Sequence, residues 1–231
     1  MKKIGILGGI GPESSIEYYR LIIQGFRERL SSDQYPEFLI HSINMSQMLS
    51  YVYESKWEEL VDFLKVRISL LEEAGADYVA MASNTPHVVF EELSNAVEVK
   101  MISIVEESCK RAKESALKKL ALLGTKSTMS RGFYQEAGKQ AGLEISTPEE
   151  AEQDRVHEIY MQELVFNNIL PQSKKELLQI VEKLKREKGI EGLILGGTEL
   201  PLILKQEDFT EIKLFNTTQI HVDAILDMML T

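Results

Sequence analysis

The sequence predicts an α/β protein made of two pseudo-symmetric halves, each a parallel sheet covered by helices, with a ligand site in the cleft between them. Three observations carry this expectation. Short uncharged runs alternate with helix-length amphipathic segments along the whole chain, the pattern of parallel βαβ units. The opening Lys2-Lys3-Ile4-Gly5-Ile6-Leu7-Gly8 returns as Lys118-Lys119-Leu120-Ala121-Leu122-Leu123-Gly124, at an offset of 116 residues. Glu73, Gly75, Asp77 and Ser83 align in the same way with Glu187, Gly189, Glu191 and Gly197, at an offset of 114. Two such similar long offsets mark a duplicated α/β unit, since solenoid repeats are much shorter.

Residues 4–8 are an apolar run closing on glycine, which reads as a buried strand. Gly9-Ile10-Gly11-Pro12-Glu13-Ser14-Ser15 then leads into a helix over 16–30, where Ile16, Tyr19, Ile23, Phe26 and Leu30 recur near helical spacing. Pro12 and Glu13 are helix-start signals. Gly9-x-Gly11-x-x-Ser14 is one residue short of a dinucleotide fingerprint, and no acidic residue closes a βαβ unit about 20 positions on. A glycine turn at a helix N-terminus, open to some anion, is the favoured reading. A strand is expected over 38–43, and one long amphipathic helix over 53–73 with Trp57, Leu60, Val61, Leu64, Ile68 and Leu71 on one side. The strand over 78–82 breaks off at Ser83-Asn84-Thr85; a helix over 88–96, a strand over 100–105 and a helix over 106–116 complete the first half.

The second half repeats the order. Tyr134 falls on Tyr18; Leu177, Leu178, Ile180 and Leu184 fall on Phe63, Leu64, Val66 and Leu70; residues 212–216 fall on 99–103. The expected division is 1–103 plus 216–231 for the first domain and 104–215 for the second. Loops 8–15, 83–87, 124–130 and 196–201 should wall the cleft, at the carboxyl ends of strands where open α/β sheets bind ligands.

Composition narrows the function classes. The 231 residues carry a net charge of −10, which disfavours a nucleic-acid partner. No uncharged run reaches about 18 residues, so no membrane span is expected, and the start lacks the pattern of a signal peptide. The one cysteine, Cys109, excludes an internal disulfide and fits a reducing cytoplasm. It falls in an expected helix, where a structural role is the simple reading. The four histidines are far apart and form no metal-ligand spacing, so no metal site is expected.

Gly8-Gly9-x-Gly11-Pro12-Glu13, Asn84-Thr85-Pro86-His87, Leu123-Gly124-Thr125 with Thr128-Met129, and Gly196-x-Thr198-Glu199 together resemble the aspartate/glutamate racemase family, the cofactor-independent amino-acid racemases. The resemblance runs over essentially the whole chain. It implies two Rossmann-like domains facing each other, no cofactor, an amino-acid ligand and a homodimer, for which uncovered apolar residues of helix 16–30 would serve. It also implies two cysteines, one on each side of the substrate, that take and return the α-proton. Those two positions here are Ser83 and Gly197. A thiol is readily tuned into a base at neutral pH, an alcohol needs an adjacent base, and glycine offers no side chain. The resemblance further implies a basic residue in each of two segments that hold an acidic side chain; here residues 44–49 and 162–166 contain no Lys or Arg. A ligand with a neutral side chain is therefore expected, its α-carboxylate held by Asn84, Thr85, Thr125 and Thr128.

Each candidate has a plainer alternative. Ser83 is a residual base or a hydroxyl bonding local backbone. Asn84 and Thr85 bind ligand, cap the following helix, or both. His87 is the titratable group nearest the first loop, or a packed structural residue. Glu199 is a displaced acid/base or a carboxylate ordering its loop, with Thr198 beside it. Gly9 and Gly11 line an anion-binding turn or only shape it, and Glu13 favours the helix start. Met45, Met48 and Tyr51 read as core or pocket wall. Three functions remain open: a racemase-family enzyme, a silent amino-acid binder or sensor, and one-base isomerase or decarboxylase chemistry. If only the acid/base groups are gone, Ser83→Cys with Gly197→Cys should restore racemisation, unless Gly197 sits at positive φ where a side chain strains the backbone.

Overall fold

Apolar strands that close on glycine, over 4–8, 119–124 and 192–196, sit inside both sheets. The structure, a computed structural model, describes residues 1–30 and 34–231. In chain order the elements are β1 (Ile4–Gly8), α1 (Pro12–Leu30), β2 (Phe38–Ser42), α2 (Met45–Tyr53), α3 (Trp57–Glu73), β3 (Tyr78–Met81), α4 (Phe90–Ala96), β4 (Lys100–Ile102) and α5 (Ile104–Glu114). There follow β5 (Lys119–Gly124), α6 (Lys126–Ser130), α7 (Phe133–Ala141), β6 (Glu144–Ser146), α8 (Glu150–Gln162), α9 (Pro171–Lys188), β7 (Gly192–Gly196), α10 (Leu200–Ile203), β8 (Lys213–Asn216) and α11 (Thr217–Leu230). Contacts divide them into two compact units, Met1–Ile104 with Thr218–Thr231, and Val105–Thr217.

The first unit holds a four-stranded parallel sheet in the order β2-β1-β3-β4. Its central strand β1 is buried along its full length, as a strand covered on both faces must be. On one face Leu7, Val79 and Met81 meet Leu60, Phe63, Leu64 and Ile68 of α3. On the other, Ile4, Ile6 and Ala80 meet Tyr18, Ile22 and Phe26 of α1 and Ile225 and Leu226 of α11. The second unit repeats the plan as β6-β5-β7-β8, again parallel, packed on α8 and α9 through residues such as Val156, Leu177 and Val181. This is the α/β architecture expected from the sequence.

One detail shows the duplication at atomic level. The Asp77 carboxylate accepts the Lys3 N–H at 2.7 Å, and Asp77 N–H donates to the Lys3 carbonyl at 2.7 Å. Glu191, 114 residues on, accepts the N–H groups of Lys118 and Lys119 at 2.9 and 3.0 Å and donates to the Lys119 carbonyl at 2.8 Å. In each unit an acidic residue at the entry to the central strand pair accepts backbone N–H groups on its carboxylate, one in the first unit and two in the second.

Several boundaries differ from expectation for local reasons. The helix expected over 53–73 begins only at Trp57: Tyr53 closes a separate helix, α2, and the chain turns between the two at Ser55, left-handed at φ 55°. The strand expected over 100–105 stops at Ile102, since α5 has begun by Ile104. The first helix starts earlier, at Pro12, and its buried face is Ser14, Tyr18, Leu21, Ile22 and Phe26. Ile16 and Tyr19, expected on the apolar stripe, are 61% and 53% exposed.

Candidate functional site

In the first unit the strand ends tie three loops together. Gly9 sits at φ +82°, and a Cβ there would lie 2.6 Å from the backbone of Ile43, so the turn admits only glycine. Its N–H donates to Ser15 Oγ at 2.7 Å, while the neighbouring Ser14 hydroxyl donates to the Ala82 carbonyl at 2.6 Å. These bonds fix the β1–α1 turn, which includes Gly11, against the end of β3. Ser83, Asn84 and Thr85 follow directly and are all buried, leading into a 3₁₀ turn over Thr85–Val89. Short polar side chains suit this turn because they can bond backbone that neither strand nor helix satisfies.

His87 holds that turn in place. Its Nδ1–H donates to the Ser83 carbonyl at 2.9 Å, and its Nε2 accepts the Ile104 N–H at 3.3 Å. Both ring nitrogens are thus spent on main chain, and the ring stacks on Phe90 at a centroid distance of 5.0 Å. Burial pushes its pKa down to about 3, with the nearby His221 adding to the shift. His221, which sequence reading did not single out, completes the assembly. Its Nδ1 accepts the Tyr18 hydroxyl at 2.7 Å and its Nε2–H donates to the Ile102 carbonyl at 3.0 Å. Burial holds it near 4. Two neutral histidines therefore pin the loop that carries Ser83, Asn84 and Thr85.

In the second unit the paired glycines Gly124 and Gly196 close β5 and β7 side by side. A Cβ on Gly124 would lie 2.7 Å from the Gly196 carbonyl, so the two strand ends approach as closely as backbones can. Thr125 caps α6, its Oγ1 accepting the Thr128 N–H at 3.3 Å and lying 3.0 Å from Thr128 Oγ1. The Lys126 N–H donates to His157 Nδ1 at 3.3 Å. After β7, Thr198 Oγ1 donates to Glu199 Oε2 at 2.6 Å, and the Tyr160 hydroxyl donates to the same oxygen.

Tyr160 was not foreseen, and it changes the reading of position 197. A Cβ built on Gly197 would stand 2.4 Å from Tyr160 Cε2, 3.0 Å from Cζ and 3.1 Å from the hydroxyl oxygen. The ring of Tyr160 occupies the side-chain volume of residue 197. Gly197 itself is not at positive φ, so the expected backbone strain does not arise; the obstacle is the ring. Burial, and then the charge of Glu199, raise the Tyr160 phenol well above its ordinary value. The phenol is a proton donor at neutral pH. A contact 37 residues apart in sequence leaves no local signal, although His157 and Tyr160 share a helix face three residues apart.

The remaining placements are structural. Cys109 is buried in α5 with its thiol pushed up to about 12, chiefly by burial. Met48 is fully buried, with Met45 and Tyr51 packed against the same core. Among the described residues no cluster of three His, Cys, Asp or Glu side chains could hold a metal, and no helix is long and apolar enough to cross a membrane.

Comparison with known proteins shows the family and agrees with the fold. The family described as Asp/Glu/Hydantoin racemase matches residues 7–225. The broad specificity amino-acid racemase RacX of Bacillus subtilis is 31% identical over 145 residues, a match covering 62% of this chain and 63% of that protein. Among solved structures, a candidate Asp/Glu racemase from Yersinia pestis superposes with a TM-score of 0.92 at 28% identity, each chain covered in full. An aspartate racemase homologue from Pyrococcus horikoshii gives 0.87 at 37% identity, again with full coverage of both.

Proposed function

The chain belongs to the Asp/Glu/Hydantoin racemase family, and we propose that it binds a free amino acid through its strand-end loops without the two-thiol proton transfer of a racemase. The observation that carries this is the Tyr160 ring standing where a side chain at position 197 would be. A reactive thiol is missing there and cannot be accommodated with Tyr160 in place. Position 83 offers an alcohol, and His87, whose ring bonds the Ser83 carbonyl, has both nitrogens committed to backbone. An alcohol without a base is a poor proton acceptor at neutral pH.

Asn84, Thr85, Thr125 and Thr128 are the groups proposed to hold the ligand α-carboxylate. Residues 44–49 and 162–166 supply no cation for a second carboxylate, which favours a neutral side chain. The broad specificity of RacX, as its name describes it, is in keeping with a site not built for an acidic side chain. The free, buried Cys109 suits a reducing, cytoplasmic setting.

The decisive experiment offers a panel of D- and L-amino acids in deuterated water. The expected result is a thermal shift with one or more neutral amino acids and no deuterium at the α-carbon. Exchange with inversion would overturn the reading in favour of a racemase, and exchange without inversion would reveal a single surviving base.

We also propose a homodimer, since Ile16 and Tyr19 leave apolar area on the outer side of α1. Light scattering at micromolar concentration should give twice the chain mass; a mass near 26.3 kDa would refute it.

A further inference from the structure

Glu199 is a carboxylate 3% exposed to solvent. Burying a charged carboxylate is costly unless a cation or several donors compensate it. Its Oε2 accepts from two neutral hydroxyls, Tyr160 and Thr198, and among the described residues no Lys, Arg or His pairs with it. Buried carboxylates elsewhere in proteins are usually paired with a cation. Here the hydroxyls supply direction and the positive charge is missing.

The surroundings are equally specific. Tyr160 reaches Glu199 only because position 197 is glycine: any side chain there would meet the ring at 2.4 Å. The glycine and the tyrosine therefore act as one unit, in which a phenol on α8 is brought to the end of β7. Thr198 Oγ1 lies 3.5 Å from the Tyr160 hydroxyl, so two hydroxyls and a carboxylate converge on one small volume.

We propose that Glu199, with Tyr160 and Thr198, is the amine-recognition site of this chain, built in the volume that a side chain at position 197 would take. This rests on the amino-acid-binding reading above and says which ligand group meets the second unit. The primary ammonium of the ligand supplies the missing positive charge and donates to the carboxylate. Tyr160 and Thr198 hold the carboxylate still, as positioning residues. A charge-assisted hydrogen bond of this kind gives the amine an advantage of about tenfold or more over a neutral hydroxyl in the same place. The site should accordingly take α-amino acids and discriminate against α-hydroxy acids of the same shape.

The test measures binding of neutral amino acids and of the matching α-hydroxy acids, alanine against lactate among them, by calorimetry and thermal shift. Wild-type protein should prefer the amino acid at least about tenfold. Glu199→Gln keeps the shape and removes the charge, and should abolish the preference for the amino acid over the matching α-hydroxy acid. Glu199→Gln that retains the full preference overturns the proposal. Should that variant fail to fold, Tyr160→Phe takes its place, and must lower the preference severalfold for the proposal to stand. Binding by wild type of α-hydroxy acids as tightly as amino acids would overturn the amine site alone. No binding of any amino acid would overturn the amino-acid reading itself, and the amine site with it.

Discussion

Gly197→Cys is expected to destabilise the protein and, together with Ser83→Cys, to leave it without racemase activity. From sequence alone the double variant should regain both proton-transfer groups. The structure predicts otherwise, because the new Cβ would lie 2.4 Å from the Tyr160 ring, far inside van der Waals contact. The ring is not free to swing aside: it is buried, and its hydroxyl is bonded to Glu199 and lies near Thr198. Forcing extra atoms into such a site costs about 1–3 kcal/mol, which for a chain of this size lowers Tm by about 2–4 °C per kcal/mol. Removing the ring should reverse the sign of the effect. Tyr160→Ala alone leaves a cavity and costs about 3–5 kcal/mol, but in combination with Gly197→Cys the new side chain fills part of it. The two changes should therefore be non-additive, with a favourable coupling of about 1–3 kcal/mol in a double-mutant cycle. Racemisation, if these loops can support it, requires all three changes, Ser83→Cys, Gly197→Cys and Tyr160→Ala. Inversion by a folded Ser83→Cys/Gly197→Cys protein that keeps Tyr160 would show that the ring yields, and would remove the steric account.

Much of the fold could be read from the sequence because duplication leaves a long-range mark that local propensity does not. The strands over 4–8, 119–124 and 192–196 are near-continuous apolar runs, and such runs are distinctive where both faces of a parallel sheet are covered. The turn over residues 54–56 was hidden, since no glycine or proline marks it and a left-handed Ser55 leaves no local signal. The apolar stripe of α1 was misplaced for a related reason: Tyr18 and Ile22 are as apolar as Tyr19 and Ile23, and periodicity alone cannot say which side meets the sheet. Within the site, the motif residues were visible one by one, but their partners were not. Tyr160 and His221 come from helices far along the chain, and each acts through a hydrogen bond that no local pattern encodes. The sequence could name position 197 as lacking a side chain; only the packing shows that another residue fills it.

Acidification below about pH 6.5 should destabilise the first unit through its two buried histidines. His87 and His221 are held neutral by burial, with pKa values near 3 and 4 in the folded protein against an ordinary 6.5. For groups whose folded pKa is depressed, the sign follows directly. The stability gained by keeping them neutral is fully present above about pH 6.5, and is lost as pH falls from there towards the folded values. In that window the unfolded chain takes up a proton on each ring and the folded chain does not. The unfolding free energy should then fall with a slope approaching about 2.7 kcal/mol per pH unit, two protons at about 1.4 each. Two such units of pH approach the whole stability of a typical domain. In the second unit, half-buried His157 is lowered by burial and adds in the same sense. Glu106, raised chiefly by burial, acts in the opposite sense and trims the slope. Glu149, Glu176, Glu191, Glu211 and Asp208 are all held below their ordinary range, so their contribution is lost only at lower pH. Urea titrations at pH 7, 6 and 5 would measure the slope, and ring-proton NMR would follow each histidine. His221→Asn should be weaker at pH 7, having lost the bond to Ile102, yet show a slope smaller by about one proton. Because His87 ties Ser83 to Ile104, amino-acid binding should fade over the same range as the loop is released. A stability that stays flat between pH 7 and 5, or two rings that titrate near 6.5 in the folded protein, would remove the histidine pair from its role as the pin of this loop.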